Sequence, residues 1–223
     1  MIIVLTNDDG IKSEKIQYTR SILEKFGTVY TIAPREQQSA KSMALTIGGF
    51  KFEKIDEFNY AIEGTPVDCI TFAHGGGAGV VPDLVVSGTN NGYNIGIDIR
   101  YSGTLGACFQ AQHFGYKTIA LSADRKGNSI LEQELEKTIQ YILDNDLTSE
   151  KYTLNVNFPR EKFETSNGTK LTDVYRQRFE YKPEVVGNKF VPHRQYVFGQ
   201  VLRENTDALA YKEGYTSISK VKL

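Results

Sequence analysis

The chain opens on an apolar run, Met1–Leu5, which leads through Thr6 directly into the polar sequence Asn7-Asp8-Asp9-Gly10. An apolar run without alternation is typical of a strand buried on both faces, as in a parallel sheet covered by helices. Two adjacent carboxylates at the end of such a strand repel each other and lose hydration, so they require a positive partner. We interpret the junction as a metal site, although a single aspartate here could instead cap the next helix.

Strand-like and helix-like segments alternate through the first two-thirds of the chain. The predicted strands are Met1–Thr6, Thr28–Ala33, Asp83–Gly88, Lys117–Ser122 and Thr153–Phe158. The predicted helices are Ser13–Phe26, one that starts with a capping box at Thr65–Asp68, Thr104–Gln112, and one that starts with a capping box at Ser129–Glu132. This alternation predicts an α/β fold with a doubly wound, mostly parallel, Rossmann-like sheet.

The 223 residues fit a single domain, 1–223, with an α/β core at about 1–165 and a C-terminal extension at about 170–223. In that extension, Gly187-Asn188 between β-forming residues predicts a tight β-hairpin appended to the sheet. The hairpin packs either on its own domain or on a second subunit.

Charge and composition exclude several classes of protein. With a net charge of -1 and a pI of about 6.3, the chain has no footprint for a nucleic-acid duplex or an anionic membrane. No apolar run reaches the length of a membrane span, and the first strand leaves no room for a signal peptide. Cys69 and Cys108 lie in apolar surroundings typical of free thiols, so we expect a reduced, cytoplasmic protein.

The cation at the aspartates should be a hard one. The three histidines are scattered, and neither cysteine belongs to a CxxC motif, so a zinc site of nitrogen and sulfur ligands is not expected. Oxygen ligands suit Mg²⁺, Mn²⁺ or Ca²⁺.

Three polar loops follow predicted strands of the sheet. They carry Asn7, Asp8 and Asp9, then Gln37, Gln38, Ser39 and Ser42, then Thr89–Gly96 with Asn90. Because the carboxyl ends of parallel strands open onto one edge of a sheet, we expect these side chains to converge there.

Ser102-Gly103-Thr104 stands at the start of a predicted helix of small residues. The backbone N–H groups, the positive end of the helix dipole and two hydroxyls make this turn a candidate anion site. Ser102 could alternatively serve only as the N-cap of the helix. An anion site beside a metal favours hydrolysis of phosphate esters.

These segments together resemble one family, the SurE (survival protein E) nucleotidases. The matching motifs are NDDG at Asn7–Gly10, APxxxxS at Ala33–Ser39, GTPxDC at Gly64–Cys69, PDLVVSGxNxGxNxGxDxxYSGT at Pro82–Thr104 and LNVNxP at Leu154–Pro159. The resemblance extends over about residues 1–219, and the motif at Pro82–Thr104 is highly specific. It implies a SurE-type fold and a divalent-metal-dependent phosphatase that acts on nucleoside 5′- and 3′-monophosphates.

The resemblance also implies roles for single residues. One divalent cation per subunit, Mg²⁺ or Mn²⁺ with Ca²⁺ possible in crystals, is expected on Asp8, Asp9, Ser39 and Asn90. We assign catalysis to Asp8, Asp9 and Asn90, and phosphate binding to Asn7, Ser102, Gly103 and Thr104. Homodimers or homotetramers that exchange C-terminal elements are expected, with the hairpin as the candidate element.

Two other hypotheses stay open at this point. A response-receiver-like signalling domain also has paired acids after its first strand, but it needs an acceptor aspartate where this chain has Ser87 and Gly88. A nucleotide-binding or stress-assembly protein without turnover is the second. The base, the 5′ or 3′ preference, the use of polyphosphate, and the choice between water and a carboxylate as nucleophile are not decided by the sequence.

Overall fold

A computed structural model describes residues 1–176, 179–196 and 203–222 of the chain. The strands are β1 (Ile2–Thr6), β2 (Thr28–Pro34), β3 (Phe52–Lys54), β4 (Asn59–Ile62), β5 (Leu84–Asn91), β6 (Lys117–Ala123), β7 (Thr153–Asn157), β8 (Thr169–Thr172), β9 (Phe179–Val186), β10 (Lys189–Tyr196) and β11 (Thr216–Val221). The helices are α1 (Glu14–Leu23), α2 (Pro66–His74), α3 (Gly103–His113), α4 (Ser129–Asp144) and α5 (Asp207–Glu213), with short 3-10 helices at Gly96–Tyr101 and Glu161–Phe163.

Nine strands form the main sheet in the order β3-β4-β2-β1-β5-β6-β7-β11-β8. The six strands from β4 to β7 in this order are parallel to their neighbours, whereas β3 and β11 run antiparallel to β4 and β7. The predicted doubly wound, mostly parallel sheet is confirmed.

Helices cover both faces of this sheet. On one face, α1 and α4 pack over a buried apolar cluster that includes Leu5, Leu23 and Leu135. On the other face, α2 and α3 pack over a second cluster that includes Val4 and Ile70. Adjacent residues of β1 therefore point to opposite cores, which explains why the strand has no polar face.

The chain reverses its direction of winding beside β1. After β1 it proceeds outward through β2 and β4, and it then returns to form β5, β6 and β7 on the other side. Thr6, the last residue of β1, lies opposite Ser87 of β5, and β5 continues beyond it to Asn91. A crevice forms outside the carboxyl ends of strands at such a switch point. It receives Asp8 and Asp9 from β1 and the loop that follows β5.

Several predicted boundaries are corrected by the structure. The strand predicted to end at Gly88 continues to Asn91, because a β-bulge between Ser87 and Asn90 restores its pairing with β6. Helix α1 ends at Leu23 rather than Phe26, because the N–H groups of Lys25 and Phe26 donate to the carbonyls three residues before them and not four. These residues therefore form a turn narrower than an α-helix. The capping box at Thr65–Asp68 is confirmed.

The start of α4 differs from the predicted capping box at Ser129–Glu132. Asn128 is the N-cap residue and makes no side-chain cap bond, while Ser129 is the first helical residue. The carboxylate of Glu161 instead accepts the Ser129 hydroxyl and the Ile130 N–H, the latter at 3.2 Å. A distant acid thus satisfies one of the orphan backbone donors of this helix end.

Glu161→Ala is therefore expected to lower the free energy of unfolding by about 1 kcal/mol, the value of a typical N-cap. Glu132→Ala is the matched control and should change it by less than about 0.5 kcal/mol, since only a favourable charge near the helix dipole is lost. Urea unfolding of both variants measures the difference. Equal losses in the two variants would contradict the assignment of Glu161 as the cap.

The segment after residue 165 contributes to both the main sheet and a separate one. Strand β11 lies between β7 and β8, and β8 forms the edge. Strands β9 and β10 form the predicted hairpin, with Gly187-Asn188 at its turn, as a two-stranded sheet of their own. The division of the chain near residue 165 stays a prediction. Within the described ranges, no helix is both long and apolar enough to cross a membrane.

Candidate metal and phosphate site

Asp8 is the most enclosed carboxylate at the switch point, with 3% of its surface exposed. Its Oδ1 accepts a hydrogen bond of 2.9 Å from the Thr104 hydroxyl. Its main-chain oxygen accepts a bond of 2.7 Å from Gln38 N, which ties the loop after β2 to the loop after β1. Three segments far apart in sequence thus meet at Asp8.

The pKa of Asp8 is raised from 3.8 to about 6, mainly by burial and also by the neighbouring Asp9 carboxylate, against the lowering effect of the Thr104 hydroxyl. The side chain therefore lacks a compensating positive charge among the described groups. A cation bound beside it would stabilise the ionised form.

Asp9 is oriented by the carboxyl end of β5. Its Oδ2 accepts a bond of 2.8 Å from Asn91 N, the last residue of that strand. The side-chain Nδ2 of the preceding residue, Asn90, donates to Gly92 O at 2.9 Å. This bond fixes the amide, whose oxygen Oδ1 is the atom that could ligate a cation. Asp8, Asp9 and Asn90 are brought to one edge of the sheet.

Ser39 follows Gln38 in the loop tied to Asp8, and its side chain is exposed. Its Oγ accepts a bond of 3.0 Å from Gln37 Nε2. The loop continues over α3, where the Ser42 hydroxyl donates to Arg100 O at 2.8 Å. Ser39 thus follows the residue whose main chain bonds Asp8, and its place among the metal ligands stays a prediction.

The Ser102-Gly103-Thr104 turn begins α3 against Asp8. Ser102 is the N-cap, and its Oγ accepts a bond of 3.2 Å from Leu105 N. A Cβ on Gly103 would lie 3.0 Å from the Asp8 Cβ, closer than side chains ordinarily pack, so glycine allows this approach without a shift of Asp8. The backbone N–H groups of Gly103 and Thr104 belong to the first turn of the helix, where no intrahelical acceptor exists. They form a cradle for an anion next to the carboxylates.

Two predicted phosphate-binding side chains have other contacts. The Thr104 hydroxyl is directed to Asp8. Asn7 is fully buried, donates to Gly10 O at 3.0 Å and accepts from Gly10 N at 3.1 Å, which shapes the turn that carries both aspartates. In this arrangement Asn7 positions the loop, and its contact with a phosphate stays a prediction.

A buried amide network that the sequence analysis did not identify fixes the next part of the loop. Asn94 O accepts bonds from the Nδ2 atoms of Asn155 at 2.8 Å and Asn157 at 3.2 Å. Asn94 N donates to Asn157 Oδ1 at 2.9 Å, and Asn94 Nδ2 donates to Ser122 Oγ at 2.8 Å. Polar residues at alternate positions of an otherwise apolar strand, as in Asn155 and Asn157, were the available indication.

Lys15 is a second residue that sequence analysis missed. It lies in the first turn of α1, where a lysine is ordinarily solvated, yet only 4% of it is exposed. Its Nζ donates to Asp124 O in the loop after β6. Burial lowers the pKa of Lys15, although Asp9, Asp124 and Glu161 act in the opposite direction. No local pattern distinguishes it from an exposed lysine.

The residues present fit a hard divalent cation. In the described parts of the chain, no group of three or more His, Cys, Asp or Glu side chains could hold a metal. The set at the switch point is instead two carboxylates with amide and hydroxyl oxygens, which are ligands that Mg²⁺ and Mn²⁺ accept together with water.

Comparison with known proteins shows the family of this chain. The family model described as "Survival protein SurE" matches residues 3–181. The chain belongs to the SurE family. It is 32% identical to the 5′-nucleotidase SurE of Actinobacillus succinogenes, over 100% of this chain and 92% of that protein. It is 37% identical to the 5′/3′-nucleotidase SurE of Wigglesworthia glossinidia brevipalpis, over 81% of this chain and 73% of that protein.

The likeness extends to three dimensions. The crystal structure of the SurE protein from Aquifex aeolicus matches with a TM-score of 0.85 at 29% identity, over 100% of this chain and 93% of that one. The C-terminal strands β8 and β11, which sequence analysis did not place in the sheet, therefore lie within the matched fold.

In this SurE chain, helix α3 approaches the loop after β2 at Gly106. We call this loop, which carries Ser39 and Ser42, the Ser39 loop. A Cβ on Gly106 would overlap the backbone oxygen of Ser42, and it would lie 3.2 Å from Met43 N. The contact is with main chain, so the loop itself would have to move. The spacing between α3 and the Ser39 loop therefore depends on the absence of a side chain at this position.

Gly106→Ala is expected to destabilise the protein by about 1–3 kcal/mol through this overlap, and to weaken metal binding by displacing Ser39. A glycine-to-alanine change inside a helix is otherwise stabilising, by about 0.5–1 kcal/mol. Thermal unfolding and Mn²⁺ titration measure the two effects. A more stable variant with unchanged metal affinity would contradict the contact.

Proposed function

We propose that this SurE protein is a divalent-metal-dependent nucleotidase, which hydrolyses nucleoside 5′- and 3′-monophosphates to nucleoside and inorganic phosphate. The supporting observation is the pairing of Asp8, buried and short of positive charge, with Asp9 beside the N-terminus of α3. The names of the two relatives, a 5′-nucleotidase and a 5′/3′-nucleotidase, support the same substrate class.

One Mg²⁺ or Mn²⁺ ion would be held by Asp8, Asp9, Ser39 and Asn90. When bound, the ion supplies positive charge for the phosphate oxygens and Lewis acidity toward water. The protein fixes the direction of both carboxylates beforehand: Thr104 holds Asp8, and Asn91 N holds Asp9. Preorganised ligands of this kind avoid the cost of ordering them during the reaction.

The phosphoryl group is proposed to bind at the start of α3. Its nonbridging oxygens would accept from the Gly103 and Thr104 N–H groups and from the Ser102 hydroxyl, which can donate while its oxygen caps the helix. This places phosphorus next to Asp8, against which Gly103 already packs. Positioning of the phosphate beside the carboxylates raises the effective concentration of the reacting groups.

The hydrolytic step also needs a group that accepts a proton from water, and a carboxylate is proposed for this role. Asp8 or Asp9 would orient a water molecule and take its proton, as a bond forms from the water oxygen to phosphorus and the ester bond to the sugar oxygen breaks. The sugar oxygen leaves as an alcohol when it receives the proton that the aspartate took from water. Direct attack by a carboxylate on phosphorus would form an acylphosphate and release the sugar oxygen, and water would then hydrolyse the acylphosphate; capture of this intermediate on the protein with hydroxylamine distinguishes this route.

We also propose that the protein works in the cytoplasm as a homodimer or homotetramer. Cys69 and Cys108 are both free and buried, as expected for a reduced compartment. Tyr181, Val185, Val186 and Phe190 give the hairpin exposed apolar side chains. Such a surface is typical of an interface with another subunit. Analytical ultracentrifugation of the full chain, and of Phe190→Ser, tests the role of the hairpin.

The decisive experiment is phosphate release from a panel of nucleoside monophosphates with Mn²⁺, with Mg²⁺ and with EDTA. We expect release that depends on metal and is abolished by chelation. No release from folded protein under any metal would instead support a nucleotide-binding or stress-assembly protein, provided that the nucleotides bind.

A further inference from the structure

A cavity of 360 Å³ opens beside the proposed site and is lined mainly by cationic and amide side chains. We call it the cationic pocket and define it by Lys15, Asn91, Arg125 and Lys126, with Glu14 as its acidic residue. It lies between the start of α1, the loop after β5 and the loop after β6. The three cations and one acid give it an excess of positive charge.

The cations of this pocket lack ion-pair partners within the described structure. No carboxylate oxygen lies within 4.0 Å of the charged nitrogens of Lys15, Arg125 or Lys126 there. For Lys15 this is unusual, because it is 4% exposed and buried charges are normally paired. Its Nζ has a backbone carbonyl, Asp124 O, as a hydrogen-bond partner, and the carboxylates of Asp9, Asp124 and Glu161 act on it only from beyond ion-pair distance. A buried cation that lines a cavity without a carboxylate in direct contact leaves room for an anionic ligand.

The pocket is adjacent to the proposed metal site. Asn91 N donates to Asp9 Oδ2 at 2.8 Å, and Asn91 O accepts from Arg125 Nε at 2.9 Å. Asn91 is therefore the only residue between the Asp9 carboxylate and the Arg125 guanidinium along this path. The two hydrogen bonds and one extended residue of about 3.5 Å together place Asp9 Oδ2 no more than about 9 Å from Arg125 Nε. An anion in the pocket and a phosphate at Asp8 would be neighbours on one small molecule.

We propose that the cationic pocket binds a second phosphate group of the same nucleotide, so that nucleoside 3′,5′-bisphosphates are bound better than monophosphates. The inference rests on the proposed function. The guanidinium of Arg125 offers the remaining nitrogens of its planar fork, and the two lysines add point charges. The ribose would then lie across the Asn90–Gly92 turn, with one phosphate on each side.

Binding to the metal-free protein in EDTA separates this proposal from turnover. The probes are adenosine 3′,5′-bisphosphate, adenosine 5′-monophosphate and inorganic phosphate, titrated by calorimetry. The bisphosphate is expected to bind the wild type about tenfold more tightly than the monophosphate, the value of one added charge-assisted contact. Lys126→Ala and Arg125→Ala should each remove most of that ratio.

Lys137→Ala is the matched control, because Lys137 lies on α4 with 71% of its side chain exposed; it should leave the ratio unchanged. Equal affinities for the two nucleotides, with no effect of the pocket variants, would overturn the proposal. A second outcome would also overturn it: inorganic phosphate binds to the monophosphate-loaded protein and needs Lys126 to do so, but the bisphosphate binds no more tightly than the monophosphate. The pocket would then bind a free anion rather than a second phosphate of the nucleotide. Failure of the proposed function would appear separately, as absent phosphate release with Mn²⁺.

Discussion

Asp8→Asn is expected to lower metal-dependent phosphate release on the order of a thousandfold, the effect of losing about 4 kcal/mol of transition-state stabilisation. The amide that replaces the carboxylate is neutral, so it weakens cation binding and cannot take a proton from water. Its oxygen still accepts the Thr104 hydroxyl, so the local structure is kept. Phosphate release with saturating Mn²⁺ measures the loss, and retained activity would contradict the mechanism.

The same variant is expected to be more stable than the wild type when metal is absent. The pKa of Asp8 rises from 3.8 to about 6 on folding, so the folded state favours the protonated form. The wild type consequently loses stability as the pH rises from about 4 to about 6, and the full cost, at most about 3 kcal/mol, persists at higher pH. Asparagine does not ionise and avoids this cost.

The difference in unfolding free energy between Asp8→Asn and the wild type should thus be near zero at pH 4 and favour the variant at pH 8. Urea unfolding in EDTA at the two pH values measures it. For the phosphate-release experiment on Asp8→Asn, the control is Asp146→Asn. Asp146 is an exposed carboxylate, and its replacement should leave phosphate release unchanged. A variant less stable than the wild type at pH 8 would show that the Asp8 charge is compensated within the protein.

Thr104→Val is expected to lower phosphate release by about tenfold to a hundredfold, because it removes a hydrogen bond to a buried charge that is worth about 1.5–3 kcal/mol. Loss of this donor destabilises the ionised form of Asp8 and raises its pKa above about 6. Mn²⁺ competes with that proton, so the metal affinity of the variant should begin to fall at a higher pH than that of the wild type.

Thr104→Ser is the matched control, because it keeps the hydroxyl and removes only a methyl group. Its pH dependence of Mn²⁺ binding should follow the wild type. If Thr104 acted only on the phosphate, both variants would bind Mn²⁺ as the wild type does. Thr104→Val would then differ from the wild type only by a lower affinity for the nucleotide.

Elements whose contacts are local were predictable from the sequence. The capping box at Thr65–Asp68 is satisfied within four residues, and the hairpin turn at Gly187-Asn188 depends on two. The box predicted at Ser129 did not form, because the helix begins one residue earlier than the box requires and the Ser129 hydroxyl donates to Glu161, far along the chain. Short strands such as β8 and β11 gave no clear periodicity, since their burial comes from strands that are distant in sequence.

The candidate site divides in the same manner. Asp8, Asp9 and Asn90 could be placed at one edge because each follows or ends a strand of a parallel sheet, and that topology brings carboxyl ends together. The partner of each group could not be predicted. Thr104 donates to the Asp8 carboxylate, and Lys15 is buried against Asp124 O, both through contacts between distant segments. Asn7 bonds Gly10 within its own turn.

The sequence by itself determined the α/β class, the polar edge of the sheet and the family motifs. Hydrophobic periodicity and the end of each strand depend on residues that are neighbours in the sequence. Only the tertiary structure decided the electrostatics of the site. Whether a carboxylate or an amine is solvated, paired or isolated depends on which distant elements cover it. The raised pKa of Asp8 and the cationic pocket next to Asp9 are both consequences of that packing.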